Sequence, residues 1–243
     1  MGYLLLEGGA EFKGRMVEAD RRALALAGEE DAAVDIIPAA AAPDNNHHHA
    51  GQSGIDWFRR IGARKVISRP VIDRDSADNL RIAGQLKHSR FVFLLGGFPD
   101  HLAESLRKTQ SWRSICSVYQ TGGVIGGSSA GAMVLCERFY DPFSDKVRAG
   151  LNLLPESCVI PHYNRVGPAW VKRLQYLLPE FRMLGLDEQT GLINDAKSGG
   201  RTIYVRGAVV LHGQEYRRSY EAGAIISREK LPSPQIDLLL KKW

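Results

Sequence analysis

The stretch Thr121 to Leu135, TGGVIGGSSAGAMVL, restricts the fold of this 243-residue chain more than any other. Val124 and Ile125 are apolar and β-branched, Gly126 to Ser129 are small, and Ala130 to Leu135 are helix formers. That order dictates a strand, a sharp turn and a helix that starts at once. A G-x-S-x-G spacing at such a turn is that of a nucleophile elbow. The serine sits at the tip in a strained backbone conformation, and the residues two before and two after it must be small. Gly127, Ser129 and Gly131 fit this frame, and Gly126, Ser128 and Ala130 fit it one residue earlier. Glycine on both flanks gives Ser129 the smaller steric conflict. A phosphate cradle at a helix N-terminus is the competing use of such a stretch, but the lysine of a P-loop and the spacing of a dinucleotide fingerprint are both missing.

The chain before the elbow alternates between strand and helix patterns. Tyr3 to Glu7, Ala33 to Ile37, Lys65 to Ser68 and Arg90 to Leu95 read as strands, the last a continuous apolar run suited to burial on both faces. Helical patterns cover 14–27 and 51–61, another opens at Asp75 with Asp75 or Ser76 as cap, and two more run near 101–108 and 111–121. Such alternation predicts an α/β fold, a mostly parallel sheet with helices on both faces and ligands at the carboxyl ends of its strands. Three strands end in glycine pairs, at 8–9, 96–97 and 126–127, which would share that rim.

Beyond the elbow helix the pattern loosens. Residues 137–150 read as a polar loop, 158–160 as a strand, 170–178 as a helix and 185–193 as a turn feeding a strand. Thr202 to Val205 and Ala208 to Leu211 flank Arg206 and Gly207, which predicts a C-terminal β-hairpin. Residues 220–227 and 236–240 are further strand candidates. No repeat, low-complexity linker or composition shift divides the chain, so residues 1–243 are expected to form one domain.

With 44% hydrophobic and 24% charged residues, the composition is that of a globular protein with a sizeable core. The formal charge of +5 is spread without a basic run, so no nucleic-acid footprint is expected. Cys116, Cys136 and Cys158 form no CxxC pair, which fits reduced thiols packed in helices or strands of a cytoplasmic protein. No leader pattern opens the sequence and no apolar stretch is long enough for a membrane span.

An activated serine needs a base and a group to orient that base. Of seven histidines, His47, His48 and His49 fall in a polar loop, read as solvated rather than metal-binding. His88 and His101 lie on polar helix faces, and His212 lies far along the chain. His162 stands where an apolar run ends, beyond the elbow, and is the expected base. For the orienting acid, Asp187 and Glu188 precede a strand, while Asp141, Asp145 and Asp195 remain alternatives. The oxyanion donors are expected at the backbone amides of Ala130, just after the nucleophile, and Gly97.

Taken together, LEGGAE at 6–11, LLGGFP at 94–99, GSSAGA at 127–132, a histidine some thirty residues on and GLDE at 185–188 carry a resemblance. From residue 3 to about 195, and in the same order, the chain resembles the serine-peptidase family of cyanophycinase and dipeptidase E (aspartyl dipeptidase). The resemblance implies a class I glutamine amidotransferase-like fold with serine in place of the amidotransferase cysteine. It implies Ser129 as nucleophile, His162 as base, Glu188 as the orienting acid, and oxyanion amides at Gly97 and Ala130. It implies a small peptide substrate and no cofactor or metal, in a chain that can pair as a homodimer. Around the histidine the sequence departs from cyanophycinase. Ile160 and Pro161 precede His162, only Arg165, Lys172 and Arg173 follow it, and Phe98 and Pro99 follow the second glycine pair. A short peptide with an acidic residue near Arg165 is therefore expected rather than cyanophycin. The reading from another class is a binding domain that keeps the fold without turnover.

Overall fold

The computed structural model describes residues 2–205, 207–213 and 216–236. In chain order its first half runs β1 (Tyr3–Glu7), α1 (Val17–Ala27), β2 (Ala33–Ile37), α2 (His47–Arg60), β3 (Lys65–Ser68), α3 (Arg74–Asp78), α4 (Leu80–Leu86), β4 (Phe91–Leu94), α5 (Pro99–Leu106), α6 (Gln110–Gln120), β5 (Val124–Ser128) and α7 (Ala130–Val134). The second half runs β6 (Arg138–Asp141), β7 (Lys146–Ala149), β8 (Ser157–Ile160), α8 (Tyr163–Leu177), β9 (Arg182–Leu186), β10 (Thr190–Ile193), β11 (Arg201–Val205), β12 (Val209–His212), β13 (Arg217–Tyr220) and β14 (Ile225–Ile226).

Eight strands form the main sheet in the order β14-β11-β10-β1-β5-β4-β2-β3. The five strands from β1 to β3 are mutually parallel, and β10, β11 and β14 extend the sheet antiparallel beyond β1. Parallel strands need crossovers, and the helices that supply them cover both faces. Two apolar cores result. On one face Leu4, Leu94 and Ile125 pack with α4, α5 and α6. On the other, Leu5, Phe91 and Phe93 pack with α1 and α2, where Phe58 meets Phe91 and Phe93 at centroid distances of 5.2 and 5.5 Å. All four side chains of β4 are buried, as expected for an unbroken apolar strand. Truncating Phe93 would leave a void there and cost about 3–5 kcal/mol.

The second half departs from the sequence expectation in three places. Residues 137–150 are not a loop: β6 and β7 form a two-stranded antiparallel pair. A four-stranded sheet, β13-β12-β9-β8, stands apart from the main one, with β8 and β9 parallel and joined through α8. The expected pairing of 202–205 with 208–211 does not occur, because β11 joins the main sheet and β12 the smaller one. The C-terminal hairpin is instead β12 with β13, in the register Val209↔Tyr220 to His212↔Arg217. A two-residue link can join two sheets as well as two paired strands, and the apolar pattern around it is the same. Of the strand candidate 236–240, residues 237–240 lie outside the described residues, as does Arg206.

Helix boundaries moved where glycine and proline misled. α2 starts at His47 rather than 51, without a side-chain cap. α8 starts at Tyr163 rather than 170 and carries Pro168 inside it. The third helix is two, α3 and α4, broken at Asn79, and its cap is Asp73, whose carboxylate accepts from the Ser76 N–H in a capping box. Among the described residues no helix is long and apolar enough to cross a membrane.

Candidate active site

The elbow forms as the glycine spacing requires. β5 ends at Ser128, Ser129 takes φ 49° and ψ −112°, and α7 begins at Ala130. A Cβ on Gly127 would lie 2.5 Å from the Gly131 carbonyl carbon, and one on Gly131 would lie 2.1 Å from the Leu94 oxygen. Both clashes are with backbone, so both positions need glycine, and they flank Ser129 symmetrically. Ser128, by contrast, is fully buried as the last residue of β5.

Four sequence-selected groups of this site lie just past the carboxyl end of a strand, Gly97 after β4, Ser129 after β5, His162 after β8 and Glu188 after β9, while Ala130 opens α7 and Arg165 lies in the first turn of α8. Ser129 Oγ is 2.9 Å from His162 Nε2, and His162 Nδ1 is 2.9 Å from Glu188 Oε1. His162 itself adopts a left-handed conformation, φ 49° and ψ 36°, as the residue that enters α8. Its carbonyl accepts from the N–H groups of Arg165 and Val166. Glu188 also takes the Arg165 guanidinium at 3.0 Å. The hydrogen bond from His162, then that from Arg165, holds the Glu188 carboxyl below the usual carboxylate range. Arg165, expected to contact substrate, is thus found on the acid, with its side chain 68% exposed.

The other carboxylates have partners elsewhere. Asp187 accepts from the Ala208 N–H at 3.0 Å, pinning the turn before β12. Asp141 accepts from the N–H groups of Phe143 and Ser144. Asp145 takes Tyr140 and Arg173, and Asp195 takes Arg22 and Tyr204. His212 is buried against the Tyr163 hydroxyl at 2.8 Å, and His101 meets the Ile72 carbonyl. The three cysteines are buried, which pushes the Cys136 thiol up to about 11 and that of Cys116 to about 12.

A cleft of about 470 Å³ opens over Ser129 and His162. Its walls include Gly97, three residues to which the sequence analysis gave no role, Glu11, Lys13 and Asn46, and His49, which it set aside as solvated. The histidine run is solvent-exposed at His48 and His49, as expected, but it is helix rather than loop. It begins α2, and successive helical positions diverge by about 100°. His47 and His48 therefore face a separate cavity with Ser68 and Arg69, while His49 faces the cleft. Among the described residues no three metal-ligating side chains are grouped to hold a metal ion.

The segment Glu7 to Glu11 joins the parts of the site. The Glu7 carbonyl accepts from Ser129 N–H at 3.1 Å, Gly8 from His162 N–H at 2.7 Å and Gly9 from Gln189 N–H at 3.3 Å. Glu11 Oε2 accepts from Gly96 N–H at 3.1 Å. Its glycine pair was legible as a strand end, but these long-range bonds left no local signal.

Residues 4–198 match the model of peptidase family S51. The chain belongs to peptidase family S51. It is accordingly a serine-type peptidase. Cyanophycinases of Synechococcus elongatus and Thermosynechococcus vestitus are each 29% identical to it over 221 residues, spanning 86% of this chain and 67% of theirs. Among solved structures, a peptidase from an acI-B1 actinobacterium superposes with a TM-score of 0.81 at 25% identity, covering 93% of this S51 chain and 97% of that one. A putative peptidase E protein from Listeria monocytogenes shares the fold at a TM-score of 0.59 and 15% identity, over 91% and 98% of the two chains.

Proposed function

We propose that this peptidase cleaves short peptides through an acyl-enzyme formed on Ser129, with His162 as base and Glu188 as the group that orients it. The observation that carries this is the unbroken hydrogen-bonded line from Ser129 Oγ through both imidazole nitrogens to Glu188. His162 takes the hydroxyl proton at Nε2 as Oγ bonds to the scissile carbonyl carbon. Glu188 holds the opposite tautomer in place and balances the imidazolium. The charge that develops on the carbonyl oxygen is met by the amides of Ala130, at the N-terminus of α7, and of Gly97. The C–N bond then breaks as His162 returns the proton to the leaving amine. Water, deprotonated by the same imidazole, releases the acyl group.

A short peptide suits a cleft of this size, and the exposed guanidinium of Arg165, paired with Glu188, favours a substrate carboxylate. The test is a panel of short peptides with acidic, neutral and basic side chains, run with the parent, His162→Ala and Arg165→Ala. His162→Ala should lose nearly all turnover, because base and nucleophile act as a unit. Arg165→Ala should raise KM mainly for the acidic peptides. Full turnover in His162→Ala, or hydrolysis confined to basic peptides, would refute the reading, and inertness of the parent toward all peptides would favour a binding domain.

A further inference from the structure

Glu11 is a charged residue on the wall of a catalytic cleft, yet it has no part in the triad. Its surroundings define what it does. The turn after β4 is anchored on both sides, by the end of β2 and by the helical turn that follows it: Leu95 N–H donates to the Ile37 carbonyl at 3.2 Å and Phe98 N–H to the Ala40 carbonyl at 2.8 Å. Between these anchors stand two glycine amides. Gly96 N–H is taken by Glu11 Oε2 at 3.1 Å. No acceptor among the described residues takes that of Gly97, which lies on the cleft wall beside Ser129.

Space around Gly96 is tight in the same direction. A Cβ placed there would lie 3.3 Å from Glu11 Oε1 and 3.4 Å from Ser129 Cβ. The Glu11 carboxyl, the Gly96 peptide and the nucleophile are therefore in mutual contact range. A glycine pair has the widest conformational freedom of any dipeptide. Without a partner for Gly96 N–H, the Leu95–Gly96 peptide could rotate and carry the next peptide, with its Gly97 N–H, out of line.

We propose that Glu11 is a positioning residue of the reaction: by accepting the Gly96 N–H it fixes the peptide that aims the Gly97 amide at the developing oxyanion. The proposal rests on the reading of Ser129 as nucleophile and Gly97 as oxyanion donor. Burial pushes the Glu11 carboxyl up to about 7, the Gly96 bond opposing that rise, which shows how closely the group is enclosed against the turn. The bond asks only for an oxygen acceptor, and a glutamine carbonyl offers one of the same reach. Alanine offers none.

An oxyanion donor that is absent costs about 10²–10³ in kcat, and one left loosely aimed should cost less. The expected loss in Glu11→Ala is about 10- to 100-fold in kcat with KM within about twofold, since the donor acts on the transition state and not on the bound ester. Glu11→Gln should recover most of that loss. The measurement is steady-state hydrolysis of p-nitrophenyl acetate by the parent, Glu11→Ala, Glu11→Gln and Ser129→Ala, with melting temperatures alongside. Parent-like kcat in Glu11→Ala, a loss that falls on KM, or a Gln variant as impaired as the Ala one would each overturn the proposal. If Glu11→Ala does not fold, the Gln variant decides alone: near-parent kcat supports the acceptor role and a loss as large as that predicted for Ala refutes it. Turnover by Ser129→Ala equal to the parent's would remove the nucleophile reading, and the positioning role with it. A dead Ser129→Ala beside a fully active Glu11→Ala would remove the positioning role alone.

Discussion

Two adjacent carboxylates follow β9, and they turn to different partners: Glu188 to His162 Nδ1, Asp187 to the Ala208 N–H. Asp187 leaves the end of β9 and Glu188 opens the turn into β10, so the two side chains diverge and one of them serves the imidazole. Glu188→Gln should keep the fold and cost roughly 10⁴ in kcat, by analogy with triads that lose their acid. Asp187→Asn should leave kcat close to the parent's and cost about 1 kcal/mol of stability through its weakened bond to the β12 turn. Side-by-side kinetics and thermal melts check this. A catalytically dead Asp187→Asn would reverse the two roles. At this scale the sequence offered a short list of acids. Partner geometry, which depends on residues more than twenty positions away, decided where each one points.

The loop after β1 shows how an element can be essential to a site without holding any group of the triad. Gly9 has φ 120°, and a Cβ on it would lie 2.3 Å from His162 Cε1. Gly9→Ala should therefore push the imidazole off Ser129 and strain the loop, reducing kcat by about two orders of magnitude while the sheet survives. Near-parent activity in a folded Gly9→Ala would contradict the placement of the ring. The first half of the fold was readable because each parallel strand is a local apolar run and each crossover a local 3.6-residue period. The second half was not. β7 is largely exposed and charged, α8 tolerates Gly167 and Pro168, and β11 and β12 look alike but join different sheets. Tertiary packing, rather than local pattern, sets those elements. His49 was hidden for the same reason, since α2 opens on polar residues and glycines that local propensity assigns to a loop.

At the scale of the whole molecule, two buried carboxyls, Glu7 and Asp20, and the partly buried Glu11 on the cleft wall couple its stability to pH. Burial, reinforced by the charge of Asp20, raises Glu7 well above its ordinary 4.5, and burial raises Asp20 from 3.8 to about 6 and Glu11 to about 7. Both Glu7 oxygens lack a hydrogen-bond partner, so the ionised form is poorly served there. The sign follows from linkage. The folded protein keeps protons that the unfolded chain releases, so this contribution is full below the ordinary carboxylate value and fades as pH rises toward 7. The melting temperature should fall between about pH 5 and pH 8, and Glu7→Gln should flatten that fall and melt higher than the parent at the upper end. An equally steep fall in Glu7→Gln would show that Glu7 does not carry the effect. The sequence reads Tyr3 to Glu7 as a strand, but nothing in it shows that the carboxyl of Glu7 is buried beside Asp20.

The central claim is that Ser129, and not its neighbour, is the nucleophile. Its most direct test is labelling by a fluorophosphonate probe of the parent, Ser128→Ala and Ser129→Ala, with the modified residue located by peptide mass analysis. Ser128 is buried in the last position of β5, whereas Ser129 sits at the elbow 2.9 Å from His162 Nε2. The account predicts labelling at Ser129 in the parent and in Ser128→Ala, and none in Ser129→Ala. Label retained in Ser129→Ala and lost in Ser128→Ala would contradict it.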